Sequence, residues 1–368
     1  LYTNPLFLAD GYHIAADSPA KDAGTGTGFD YDDIDGQPRL MGPATDIGAD
    51  EFTVPRPGQP QMDFFVAGYG SDELGDGSLQ NPWRTITHAL SQLMVPDLVL
   101  HVLPGEYSTT AGETFPIVVP PRITLQGEAD GDEQPVVIGD GVNPVFASDP
   151  QRNYGPNTVI RGLTITGGTD GIVLEAAPGI HCDLLIADNV IEGNDTADAI
   201  GPDNNPLGHG AGIVLQGNAT EEMTGTVSPQ VVGNVIRDNR GWGIVGNGLG
   251  SPAIIANTIA RNMASPVLEG SGHGIDLAAW NAEVSQPRLA RNRIIANAGW
   301  GLRLRAEVIT IGGEDVASQQ QLVMVSTLIA GNRLGGVMIE AVGEVAKVPA
   351  SVQTLIHNCT IADNYNFG

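Results

Sequence analysis

One phrase recurs along this chain, and its recurrence restricts the fold more than any other feature. It reads ADNVIEGN at 187–194, VGNVIRDN at 232–239, IANTIARN at 255–262, ARNRIIAN at 290–297, STLIAGN at 326–332 and NCTIADN at 358–364, with a degenerate copy, RGLTITGG, at 161–168. The copies align on one apolar residue: Ile165, Ile191, Ile236, Ile259, Ile294, Ile329 and Ile361. Three residues later stands Asn194, Asn239, Asn262, Asn297, Asn332 or Asn364, and two residues before the isoleucine most copies carry Asn189, Asn234, Asn257 or Asn292. A second phrase follows most copies: DGIVL (170–174), AGIVL (211–215), WGIVG (242–246), HGIDL (273–277), WGLRL (300–304) and GGVMI (335–339). It alternates at period two, the signature of a strand with one buried face.

The shortest repeat, Asn239 to Asn262, is 23 residues long. At about 3.3 Å per strand residue, that length closes one coil of three short strands and three turns. A lone coil cannot bury its apolar face, so coils stack. The expected fold is all-β: a right-handed, single-stranded parallel β-helix, a solenoid. The asparagines fit its turns. Asn tolerates left-handed backbone, and its amide both donates and accepts, so stacked copies bond along the pile. The six aligned asparagines are therefore read as structural.

Residues 62–140 read as the start of the solenoid. An amphipathic stretch, Arg84–Leu93, places Ile86, Ala89, Leu90 and Leu93 at helical spacing and suits a short α-helix capping the first coils. Strands LVLHV, IVV, ITL and VVI follow, and residues 141–368 form the repeat body. Residues 1–52 do not repeat, and 53–61 are a Pro-rich linker.

Of the ionisable residues, 43 are Asp or Glu against 17 Lys or Arg, giving a net charge of −26, with only two lysines, Lys21 and Lys347. Nucleic-acid binding needs clustered cations and is not expected. No apolar run reaches the roughly 18 residues of a membrane span, so membrane insertion is not expected either.

The phrases GSDELGDGSLQNPWRTI (70–86) and LPGEYSTTAGETFPIVVPPRITLQGE (103–128) resemble the amino-terminal module of pectate-lyase-like β-helix proteins. SPAKDAG and DIGADEF, within 1–52, resemble the closing, surface-protein-type segment of bacterial β-helix proteins. Here that closing segment precedes the opening lid. The resemblance implies a secreted or cell-surface protein. The segment order suggests that 1–52 closes the solenoid of a preceding or neighbouring unit, so that copies join head to tail. A structural or adhesive module is the first functional expectation. The second is a carbohydrate-active protein, either a polysaccharide lyase or hydrolase or a glycan-binding module, because the fold serves many chemistries.

A lyase on this fold implies a basic residue beside carboxylates. Arg291, Arg293, Arg303 and Arg305 lie on alternate positions around one coil, and Arg303 and Asp276 are the candidate catalytic residues. Aligning the second phrase stacks Trp242, His273 and Trp300 on consecutive coils, a candidate column for binding polysaccharide. Calcium is the expected cofactor. Asp30, Asp32, Asp33 and Asp35 precede a glycine within DYDDIDG, with Asp72 and Asp76 a second candidate pair.

Overall fold

In a computed structural model the described residues are 18–20, 23–24, 47 and 63–365, save 94–95, 132, 197–207, 221–222, 249, 280–283, 312–313 and 343–349. The chain divides into two compact units, Leu1–Gln61 and Met62–Gly368. The solenoid occupies the second. The segments expected at 1–52 and 53–61 lie almost wholly outside the described residues, and so do Asp30, Asp32, Asp33 and Asp35.

The second unit is a right-handed parallel β-helix. Each coil visits three sheets in turn, as in Gln230–Val232, Val235–Arg237, Ile244–Asn247 and back to Ala253–Ile255. The sheets hold 11, 9 and 9 strands, hydrogen-bonded in coil order. Among the described strand pairs all are parallel except one hairpin, Trp300–Ile311 with Glu314–Ala317.

Identical positions stack in register. In the second sheet Ile165, Ile191, Ile236, Ile259, Ile294, Ile329 and Ile361 pair one above another, the isoleucines on which the repeats align. The first sheet stacks Ile160, Ile186, Val231, Ile254, Leu289 and Met324, and the third Ile172, Ile213, Ile244, Ile275, Leu302 and Val337. Alternation turns these residues inward, and they join one continuous core. A β-branched side chain packs well on the pleated surface, which accounts for the isoleucine bias.

The helix at the start is Ile86–Gln92, shorter than the amphipathic stretch. Thr85 caps it by accepting from His88 N at 3.1 Å. The buried Glu113 accepts from the Ile86 and Thr87 amides at 2.6 and 3.0 Å. Ile86, Ala89, Leu90 and Leu93 all bury into the core of the first coils.

Two asparagine ladders run up the solenoid. Asn189, Asn234, Asn257 and Asn292 line the corner between the first and second sheets. Each Nδ2 donates to the next Oδ1 at 3.0–3.1 Å, until Thr327 takes the next position. Asn194, Asn239, Asn262, Asn297, Asn332 and Asn364 line the corner after the second sheet, linked in the same way at 2.9–3.1 Å. The side chains of Asn239, Asn262 and Asn332 are wholly buried.

The left-handed residue is not the asparagine but the one before it. Asp188, Ala256, Arg291, Ser326 and Asn358 have φ of 49 to 58° at the first corner, and Asp238, Arg261, Ala296 and Asp363 have 54 to 56° at the second. The asparagine amide instead points inward and satisfies backbone that the corner frees.

Asn262→Ala leaves the buried Asn239 amides without their acceptor. It should cost about 3 kcal/mol in denaturant unfolding. Ala256→Gly relieves a left-handed alanine at φ 58° and should stabilise by about 1 kcal/mol in the same measurement.

Candidate functional site

The chain enters the third sheet through one stacked column. The backbone registers place Asp170, Ala211, Trp242, His273, Trp300 and Gly335 on successive coils. Trp242, His273 and Trp300 are thus neighbours, as their alignment predicts.

Their faces are largely covered. Trp242 is 9% exposed and packs with Ala211, Val214 and Val245, with Leu268 against them, and His209 meets its ring edge-on at 6.3 Å. His273 is 2% exposed, and its Nδ1 accepts from the Trp300 amide at 2.9 Å. That bond requires Nδ1 to be unprotonated. Burial, then the nearby Arg303 and Arg305 charges, push the His273 pKa down to about 4. Trp300 is half-buried and lies over Gly335, where a Cβ would enter its ring.

Beside this column runs a charged chain on the outward face of the sheet. Alternation turns Ile275 and Leu277 inward and Asp276 outward. Register sets Asp276 against Arg303, and Arg305 against Glu340. The guanidiniums reach diagonally. Arg305 Nε lies 3.2 Å from Asp276 Oδ1, and its Nη1 is 2.6 Å from Glu307 Oε1. Arg303 Nη1 lies 3.7 Å from Asp276 Oδ2, and its Nη2 is 2.8 Å from Glu340 Oε2. The order is Glu340–Arg303–Asp276–Arg305–Glu307.

Asp276 is 2% exposed. Burial raises its pKa, and Arg305 and Arg303 pull it back. The Trp242 indole N–H also faces the carboxyl and favours its ionised form, without a hydrogen bond of full geometry. A buried carboxylate is tolerable only because both guanidiniums compensate it.

The sequence candidates Asp276, Arg303, Trp242, His273 and Trp300 thus come together on three coils. Arg291 and Arg293 do not join them. Arg291 stands at the corner between the first and second sheets and Arg293 opens the second-sheet strand Arg293–Ile295, and the corner at Asn297 separates both from Arg303 in the third sheet. Glu340 and Glu307 are members that the sequence reading missed. Glu340 was recoverable, since aligning GGVMIE with WGLRLR puts it opposite Arg305. Asp170 and His209 form a further pair: the buried Asp170 accepts from the His209 and Ala211 amides at 3.0 and 2.8 Å.

The acids of the 70–83 loop are engaged within it. Asp72 accepts from Arg84 N, Thr85 N and Thr85 Oγ1 at 2.8–3.0 Å, and Asp76 accepts from Ser78 N at 2.9 Å. Among the described residues no three His, Cys, Asp or Glu side chains are grouped to hold a metal.

Stacked parallel coils, twin asparagine ladders and a helix at the first coil define a right-handed parallel β-helix protein. The chain belongs to the family described as a protein of unknown function (DUF1565), whose model matches residues 68–365. No curated protein matches it. Among solved structures it is similar to the Dettilon tailspike protein, at 16% identity and a TM-score of 0.42, over 74% of this chain and 45% of the tailspike. It therefore spans less than half the length of that relative. It is similar also to alginate lyase from Paenibacillus sp. str. FPU-7, at 14% identity and a TM-score of 0.41, over 77% of this chain and 95% of the lyase. Pectate lyase Pel9A aligns at 14% identity and a TM-score of 0.36, over 82% and 79%.

His273 yields a pH prediction. Its folded pKa lies near 4, below the usual 6.5, so the unfolded chain binds its proton more tightly. The neutral imidazole's contribution is complete above pH 6.5 and is lost as pH falls towards 4, by about 3 kcal/mol at full linkage. His273→Gln should flatten the decline in unfolding free energy between pH 7 and 4 relative to the unaltered chain.

Proposed function

We propose that this chain is a structural or adhesive β-helix module of a secreted or cell-surface protein, a scaffold rather than a catalyst. The observation that carries this reading is the closure of the charged chain around Asp276. Arg303 and Arg305 each bridge two carboxylates, and His273 Nδ1 is taken by a backbone amide. Every strong acid–base group of the candidate site is thus committed to holding adjacent coils together. The tandem stacking and the strongly acidic composition support an extracellular scaffold. Head-to-tail joining of copies through residues 1–52, with calcium at Asp30, Asp32, Asp33 and Asp35, belongs to the same proposal.

The alternative is glycan binding or cleavage at the same patch. It rests on the partial exposure of Arg303 and Arg305, at 26% and 21% of their side chains. An acidic sugar would have to displace Glu340 or Glu307 to reach either one.

Arg303→Met separates the two readings. A structural role predicts a loss of about 2 kcal/mol in stability, because Asp276 keeps only one guanidinium. It also predicts no cleavage of uronic-acid polysaccharides by either the unaltered chain or the variant. Cleavage that disappears in the variant would overturn the structural reading. Electron microscopy with calcium and then with chelator reads the assembly: end-to-end filaments are expected, and dispersed rods at all concentrations would discard self-joining.

A further inference from the structure

A groove outside the Asp276 patch runs over the corner after the second sheet. Its floor is made of small residues, Ala296 and Ala298 on one coil and Gly331 on the next. Arg261 and Met263 wall one side, and Arg333 and Tyr365 the other. Register makes this shape inevitable. The residues that follow the ladder asparagines are Met263, Ala298, Arg333 and Tyr365, and each donates its backbone N–H to the ladder residue of the preceding coil. Two long side chains, one alanine and one aromatic along that corner leave a trough where the alanine stands. The trough encloses about 660 Å³.

The chemistry of the walls is uneven. Arg261 is held by Asp238, with Nε 2.9 Å from Oδ1. Elsewhere on the solenoid Arg240 lies 3.4 Å from Asp195, and Arg303 and Arg305 each bridge two carboxylates. Arg333 is exposed and has no carboxylate within ion-pair reach among the described residues. Next to it in the stack, Tyr365 is 84% exposed, and Met263 across the floor is 48% exposed. Two acids oppose an anion here: Asp238, which lines the groove and is engaged by Arg261, and Asp363, exposed at the same corner.

The geometry points to a binding site for an anionic sugar unit in this groove: Arg333 takes its carboxylate or sulfate, and Tyr365 covers its apolar face. A guanidinium recognises a planar or tetrahedral anion through paired N–H donors. An exposed aromatic face suits the C–H face of a pyranose, and small floor residues admit the ring. A nucleic acid fits less well, since its charge density would meet the acidic remainder of a chain carrying −26. The site lies on a different face from Asp276 and does not depend on the structural role proposed for that patch.

The test is titration calorimetry with the full chain, using oligogalacturonate, a sulfated oligosaccharide and a neutral cello-oligosaccharide as probes. At least one anionic probe should bind, and the neutral one should bind at least 10-fold more weakly. The two anionic arms distinguish carboxylate from sulfate. Arg333→Gln and Tyr365→Ala should each weaken binding about 10-fold with no change in melting temperature, since both side chains are exposed. Asp363→Asn should tighten it. Arg291→Gln, at an exposed arginine of the other corner, should leave it unchanged. Equal loss with Arg291→Gln, equal affinity for the neutral probe, or no binding by any probe would overturn the assignment. Loss of cleavage or stability at Arg303 would leave it untouched.

Discussion

The buried asparagine amide is the interaction on which the solenoid depends. A tight corner in a stacked coil frees backbone groups from the sheets on either side and buries them against the next coil. Each ladder asparagine answers in three directions. Asn262 Oδ1 accepts from both the amide and the Nδ2 of Asn239, and its own Nδ2 donates onward to Asn297 and back to the Ile236 carbonyl. No apolar side chain could fill that place without leaving donors stranded, and no charged one could be stacked at a rung spacing of about 4.8 Å without repulsion. The ladder therefore fixes the corner, the corner fixes the register, and the register aligns the isoleucines.

This dependence explains what the sequence disclosed. The core was legible because in-register stacking makes every coil repeat the same residue at the same place, so that Ile191, Ile236, Ile259 and Ile294 announce a column before any coordinates exist. The Trp242–His273–Trp300 column was legible for the same reason. The left-handed corner positions were not. Glycine, aspartate and asparagine occupy some of them, but arginine, alanine and serine occupy others, and these do not advertise positive φ; the ladder asparagine beside them drew the inference one residue too far. Nor could spacing reveal that Arg291 and Arg303 face different ways. Alternation shows that two residues share a strand face only while the strand lasts, and Arg291 sits in one corner with a second between it and Arg303.

Burial on the outward face was the other concealed feature. Period two marks Asp276 as outward, and outward ordinarily means wet. Here Trp242 and two arginines cover it, because a side chain on a solenoid meets neighbours from the coils above and below. The buried acid and its cations come from separate coils, with Arg303, Arg305 and Glu340 each supplied from a different turn of the chain than Asp276. Sequence distance hides such a cluster, whereas coil alignment exposes part of it.

The direction of the hydrogen bonds has a mechanical consequence. In this architecture the ladder bonds between strands run along the rod, so tension applied end to end loads the coils one after another rather than shearing whole strands together. Each terminal coil can peel away while the rest stays shut. A coil of 23 residues, such as Asn239 to Asn262, occupies only one rung yet would release roughly 80 Å of chain when drawn straight. A rod of this kind extends many times its own length under load and dissipates work coil by coil, the behaviour of a shock absorber.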